Sequence, residues 1–230
     1  MMTTLTSPDI PDIPDPDIPD TPDLEYEVLP YLDADGMSYV ETDIALSSEF
    51  YIINTLYGKI PDSTPSGNVF TFHNGDANFC MVVPNGVNGV AARRPATNGT
   101  NVIVEHYKTS SIQAASYIIL TIYMNQSQGY GSYYSTFTTP LDNTETLPYG
   151  SARCQSNYLE SPAAYNGNVY MRILGNRLGA PASGGLKFVR TTIKNSNGEL
   201  LHDLIPVNLD GQLGVKDKIT NKFYPFAIHE

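Results

Sequence analysis

Asn195-Ser196-Asn197-Gly198 separates two β-rich runs, 186–194 and 200–209. Asn and Gly tolerate a positive φ, so this combination between such runs specifies a hairpin. A second turn follows at Asp210-Gly211. Within 200–209, Leu201, Ile205, Val207 and Leu209 share one face, which predicts a core side that a one-residue slip would expose to water. The same punctuation recurs upstream. Short β-runs at Val69–Phe72, Phe79–Val83 and Val87–Ala92 alternate with Asn74-Gly75, Asn85-Gly86, Asn88-Gly89 and Asn98-Gly99. That cadence is a meander or sandwich signature, and no helical periodicity longer than a couple of turns competes with it.

Further strands are predicted at Tyr26–Leu32, Met37–Ala45, Phe50–Leu56, Asn101–Tyr107, Tyr117–Asn125 and Val169–Leu174. In 117–125, Ile118, Leu120 and Ile122 lie on one face and Ile119, Thr121 and Tyr123 on the other. The longest apolar run, Tyr117–Met124, is too short to span a bilayer. At 230 residues the chain suits one sandwich-sized domain, expected over 26–230, behind an N-terminal arm over 1–25.

That arm reads Ser-Pro-Asp-Ile-Pro-Asp-Ile-Pro-Asp-Pro-Asp-Ile-Pro-Asp-Thr-Pro-Asp-Leu over residues 7–24. Its six prolines remove backbone donors and fix φ, and its aspartates repel one another. Both favour an extended polyproline-II segment, at ~3 Å per residue roughly 50 Å long. A solvated linker is one reading. Ile10, Ile13 and Ile18, with Asp12 and Asp15 between them, support another, an arm that docks in grooves of a neighbour, because a spacer needs no large β-branched residues.

The formal net charge of −11 is unevenly placed, since residues 1–27 hold eight acids and no base. An acidic chain without a basic stripe argues against nucleic acid as a partner. The N-terminus lacks the charged and apolar regions of a secretory signal, so export by the usual route is not expected. Cys80 and Cys154 offer no disulfide framework and read as small buried hydrophobes.

A family resemblance joins the two ends of the body. Asp203-Leu204-Ile205-Pro206, then Gly211-x-x-Gly214-Val215-x-Asp217, then Thr220-x-x-Phe223-Tyr224, resembles the closing segment of a laminin-G-like, concanavalin-A-like jelly-roll module. Residues 31–44, Tyr-Leu-Asp-Ala-Asp-Gly-Met-Ser-Tyr-Val-Glu-Thr-Asp-Ile, are similar to its opening strand pair. The resemblance implies an all-β, antiparallel jelly-roll sandwich, which the extended Pro/Asp-rich arm precedes. Such modules occur in surface proteins of gut bacteria and in virion proteins of their bacteriophages. The family continues past the Phe-Tyr pair with a Gly-rich final strand, so a strand missing after Tyr224, or supplied by a partner, is expected.

Chemistry-bearing patterns are sparse. A jelly-roll glycosidase needs two carboxylates on one strand face, about 5 Å apart in a retaining enzyme. Glu41-Thr42-Asp43 is the near match, followed by Ala45 and Leu46 where the related glucanases carry a second Glu. No enzyme is expected. Asp33-Ala34-Asp35-Gly36 reads as a turn rather than a calcium loop, lacking the further oxygen ligands and terminal Glu. His73, His106, His202 and His229 lack zinc spacing, so neither metal nor other cofactor is expected. Asp203 reads as a hydrogen-bonded structural acid.

The stretch 126–137 is polar and aromatic without a charge. Tyr130, Tyr133 and Tyr134 would stack on sugar rings or on a protein partner while Gln126 and Gln128 donate to hydroxyls, or the stretch is a strand with outward tyrosines. The expected function is a non-enzymatic virion structural protein: a capsid-decoration, head-fibre or tail-associated subunit made in the host cytoplasm. Its expected partners are other virion proteins, through the arm, and further copies of itself; the alternative is a glycan-binding adhesion module.

Overall fold

The structure, a computed structural model, describes residues 25–73, 78–84, 89–95, 102–108, 110–124, 131–141, 146–153, 169–176 and 178–228. The expected arm therefore lies, up to residue 24, outside the described residues. In chain order the strands are β1 (Glu27–Val28), β2 (Leu32–Asp33), β3 (Ser38–Ala45), β4 (Ile52–Gly58), β5 (Phe70–His73), β6 (Asn78–Pro84), β7 (Gly89–Pro95) and β8 (Val102–Lys108). After the five-residue helix α1 (Ser110–Ala114) come β9 (Tyr117–Tyr123), β10 (Gly131–Phe137), β11 (Ala152–Arg153) and β12 (Tyr170–Ile173). The last four are β13 (Lys187–Lys194), β14 (Leu200–Leu209), β15 (Gln212–Asp217) and β16 (Lys222–Ile228).

These strands form an antiparallel jelly-roll β-sandwich, the expected fold class. One layer runs β11-β10-β9-β4-β13-β14-β15 and the other β3-β12-β5-β6-β7-β8, with β16 belonging to both. Lys222–Pro225 pair with β15, and Phe226–Ile228 turn across to pair with β3. The chain itself thus continues as strand past Tyr224, as far as Ile228, and joins the layers. The blocks that carry the resemblance meet here, because Tyr224 donates its hydroxyl to Asp43.

Side chains alternate along each strand, so every second residue enters the space between the layers. Val40, Ile44, Phe70, Phe72, Met171 and Ile173 fill it from one side, and Ile53, Tyr57, Ile118, Leu120, Ile122 and Phe188 from the other. Burying each such side chain contributes about 1.5–3 kcal/mol.

The β14 face differs from the expected one. Leu204 enters the main core, while Ile205 and Val207 are buried as well. The cause is a bulge: Ile193 faces His202 and Lys194 faces Leu200, leaving Leu201 without an opposite residue and switching the alternation. Arg93 and Arg94 belong to β7.

The outer face of β4, β9 and β13 is also covered. Leu56, Ile119 and Val189 pack with Leu147 in a second, smaller core. A strap over 146–151 holds Leu147 there. Asn54 donates Nδ2 to the carbonyls of Leu147 and Pro148, Thr121 donates Oγ1 to Asn54 Oδ1, and the Gly150 amide donates to Thr121 Oγ1. A side chain at Gly150 would place its Cβ 2.4 Å from the Tyr133 carbonyl oxygen, so the strap can cross β10 only as glycine.

The junction with the arm is built into this layer. β13 and β14 pair over Thr191–Lys194 but not at Lys187 and Phe188. Into that seam run β2, pairing with Lys187 and Phe188, and β1, pairing with Val207 and Asn208. The amides of Leu29 and Ala34 donate to the carbonyls of Pro206 and Leu186. Tyr26 and Tyr31 lie under the ammonium groups of Lys216 and Lys187, at 3.9 and 3.8 Å from the ring centres.

Candidate functional site

β10 separates the two described tyrosines of the expected contact stretch. Tyr133 and Tyr134 are sequence neighbours in one strand and therefore point to opposite faces. Tyr134 enters the main core and is 7% exposed, which corrects its expected contact role. Tyr133 faces outward, opposite Thr121 of β9. Gln126, Gln128 and Tyr130 lie outside the described residues.

Around Tyr133 a cluster of phenols assembles that the linear pattern did not reveal. Its ring meets Tyr123 edge-on, with centres 5.5 Å apart and planes at 84°. Tyr123 in turn lies 6.5 Å from Tyr149, a strap residue that stays 41% exposed. Lys194 sits 5.8 Å from the Tyr149 ring centre. Burial first, then the neighbouring Tyr149, Tyr133 and Tyr51, push the Tyr123 hydroxyl above its usual pKa. Tyr149 follows Pro148 in a turn-rich stretch without periodicity, so only the strap's path brings it here.

Where β4, β9 and β13 end lies an open cleft of about 700 Å³, connected to the cluster through Tyr51, which lines the cleft and neighbours Tyr123. Ile52 faces both Tyr123 and Lys194 in the last rung of that sheet. Beyond the rung, Tyr51 donates its amide to the Lys194 carbonyl, and Met124 donates to the Tyr51 carbonyl. The cleft is lined by Ser48, Glu49, Phe50 and Tyr51 from the β3–β4 loop and by Asn195, Ser196, Asn197 and Glu199 from the β13–β14 hairpin, with Met124 and Leu201. Phe50 and Met124 are buried and form an apolar floor. Asn195 organises the hairpin wall: its Oδ1 accepts the amides of Asn197 and Glu199, and its Nδ2 donates to Glu199.

Five carboxylates elsewhere are committed to neighbours. Glu41 and Asp43 both face away from the core on β3. Glu41 accepts Arg172 Nε at 2.6 Å and lies 3.2 Å from His73 Nε2. Burial alone would raise its pKa, but these partners hold it below the usual value. Asp43 is bound by Lys222 and accepts the Tyr224 hydroxyl at 2.8 Å, and both lower its pKa. Asp35 accepts the Met37 and Ser38 amides and the Ser38 hydroxyl, the geometry of a capped turn.

Asp203 is a hydrogen-bonded acid, bound by Arg190 through two contacts of 2.7 and 2.8 Å and by Lys218 at 3.6 Å. Asp217, fully buried, lies 2.7 Å from His202 Nδ1 and accepts Thr220 Oγ1 and the amides of Asp203 and Ile219. Burial would raise its pKa, yet these hydrogen bonds bring it down to about 2. Among the described residues no three His, Cys, Asp or Glu side chains gather as a metal site would require. His229 and Cys154 lie outside the described residues. No protein-family model matches the chain, and no curated protein matches it either.

Proposed function

We propose that this chain is a non-enzymatic display protein whose jelly roll binds carbohydrate through the tyrosine cluster and the adjoining cleft. The observation that carries this reading is their adjacency, with Tyr51 lining the cleft and neighbouring Tyr123 of the cluster. Exposed phenol faces suit the apolar face of a pyranose, and the amides and hydroxyls of Asn195, Asn197, Ser48 and Ser196 suit its hydroxyl groups. The absence of an enzymatic role is supported by Glu41 and Asp43, whose carboxylates are each taken up by a cation and a further hydrogen-bonding side chain. Binding of the chain to a printed array of oligosaccharides, lost in a Tyr133→Ala/Tyr149→Ala variant that keeps its melting temperature within a few degrees, is the expected result. Equal binding by that variant would remove the cluster from the site.

The body is displayed on a bacteriophage virion as a capsid-decoration, head-fibre or tail-associated subunit. The acidic arm, through Ile10, Ile13 and Ile18 with Asp12 and Asp15, attaches it to other virion proteins, and symmetric display sites imply a homo-oligomer. This placement rests on the resemblance and on the Pro-Asp repeat. It is tested by following full-length protein and a variant lacking residues 1–24 through a density gradient of a phage lysate. Co-banding of only the full-length chain with DNA-filled particles is expected, and both forms remaining at the top would exclude a virion role.

A further inference from the structure

We infer that the cleft selects saccharides by charge, preferring amine-bearing sugars to neutral ones and neutral ones to those bearing carboxylates. This rests on the carbohydrate reading above and adds the ligand class to it. Glu49 from the β3–β4 loop and Glu199 from the β13–β14 hairpin both line the cleft, one on each of the loops that form its walls. The other described lining residues are uncharged: three asparagine or serine side chains of the hairpin, Ser48, Tyr51 and the apolar floor. No lysine, arginine or histidine is among them.

Neighbouring groups do not reverse that sign. Lys194 stands over Tyr149 at the cluster end of the site, one cation against the two carboxylates of the cleft. His202 lies behind Phe50, 5.8 Å ring to ring, with its Nδ1 engaged by Asp217. Residues 125–130, which continue the chain directly from Met124, contain no charged side chain. A ligand in the cleft therefore meets two negative charges, amide and hydroxyl groups that serve any sugar, and one aliphatic and aromatic floor. Glu199 is held in place by the Asn195 amide, so its charge is presented at a defined position.

At these water-exposed separations one opposing charge on the ligand is expected to change affinity about fivefold, and the effect should shrink with added salt. The experiment uses full-length protein on an array holding matched neutral, amine-bearing and uronate-bearing oligosaccharides, with dissociation constants from calorimetry at low and high salt. The expected order is amine-bearing, then neutral, then acidic, with the spread collapsing in Glu49→Gln/Glu199→Gln while neutral sugars still bind. Gln at 199 keeps an acceptor for Asn195, so the wall survives the change.

Neutral and acidic sugars binding equally, or an undiminished spread in the double variant, would overturn the charge selection and leave the carbohydrate reading standing. Failure of every oligosaccharide to bind would remove both. A lysine-rich peptide that binds as tightly as the best amino sugar and displaces it would reassign the cleft to protein, overturning the saccharide class.

Discussion

Two groups of acids in this molecule are paired with cations in much the same way, on opposite sides of a line drawn by water. Arg190 and Asp203 form a two-point contact with side-chain exposures of only 6% and 4%. On the second layer, Glu41 meets Arg172 in a similar hydrogen bond but is 41% exposed, and Asp43 and Lys222 are exposed further still. The Arg190–Asp203 pair has given up its hydration and depends on its partner, whereas Asp43 and Lys222 can each exchange the other for water; Glu41–Arg172 stands between them, its guanidinium only 10% exposed. Burial, rather than the pairing itself, decides what each is worth.

The sharpest break in the comparison is Asp203→Ala. It leaves the Arg190 guanidinium buried beside Lys218 without its carboxylate, and a loss of about 3–5 kcal/mol in denaturant unfolding is expected. A loss under about 1 kcal/mol would show that water reaches this pair. Next in size is Tyr134→Ala, expected to cost about 3 kcal/mol or more through the cavity it leaves. Tyr133→Ala, one residue away on the outer face, should cost distinctly less, and equal losses would contradict the assigned faces.

Acid should then probe the buried side of the contrast at Asp217, fully buried and hydrogen-bonded to the Asp203 amide. The folded-state pKa of Asp217 is depressed from 3.8 to about 2, so its stabilising contribution is complete above about pH 4 and is lost as pH falls toward 2. That shift corresponds to about 2 kcal/mol. Unfolding curves between pH 5 and 2 should show a smaller acid dependence in Asp217→Asn, and parallel curves would refute the linkage. The smallest effect is reserved for Lys222→Ala, expected to change stability by less than about 1 kcal/mol because both partners are exposed.

The same contrast explains what could be read in advance. The Asn195–Gly198 and Asp210-Gly211 turns were legible because their chemistry is local: Gly198, Asp210 and Gly211 all take positive φ. The two faces of β9 were legible too, since Ile118, Leu120 and Ile122 reach the main core and Ile119 the smaller one. Period-two alternation needs no knowledge of the partner strand. Its limit appeared at β14, where a single bulged residue, Leu201, moved the core face to Leu204.

In β10, Tyr133 and Tyr134 offer one phenol to each face, so the pattern could not say which was inside. The cleft was the least legible feature, because it exists only where the loop before Tyr51, the residue after β9 and the hairpin at Asn195 converge. Nothing in the sequence around Glu49 announces Glu199 as its neighbour. The Arg190–Asp203 pair stood closer to being readable, as both residues flank the predicted hairpin, but its burial depended on the whole layer.

The seating of β1 and β2 between β13 and β14 has a mechanical consequence. Tension applied through the residues before Glu25 enters the body inside a layer, not at its rim. It reaches the backbone hydrogen bonds of Val207, Asn208 and Pro206 before those of Lys187 and Phe188. The body would yield to such a pull by losing a seam from its middle, with Leu32 drawn out of the core, rather than by peeling strand by strand from an edge.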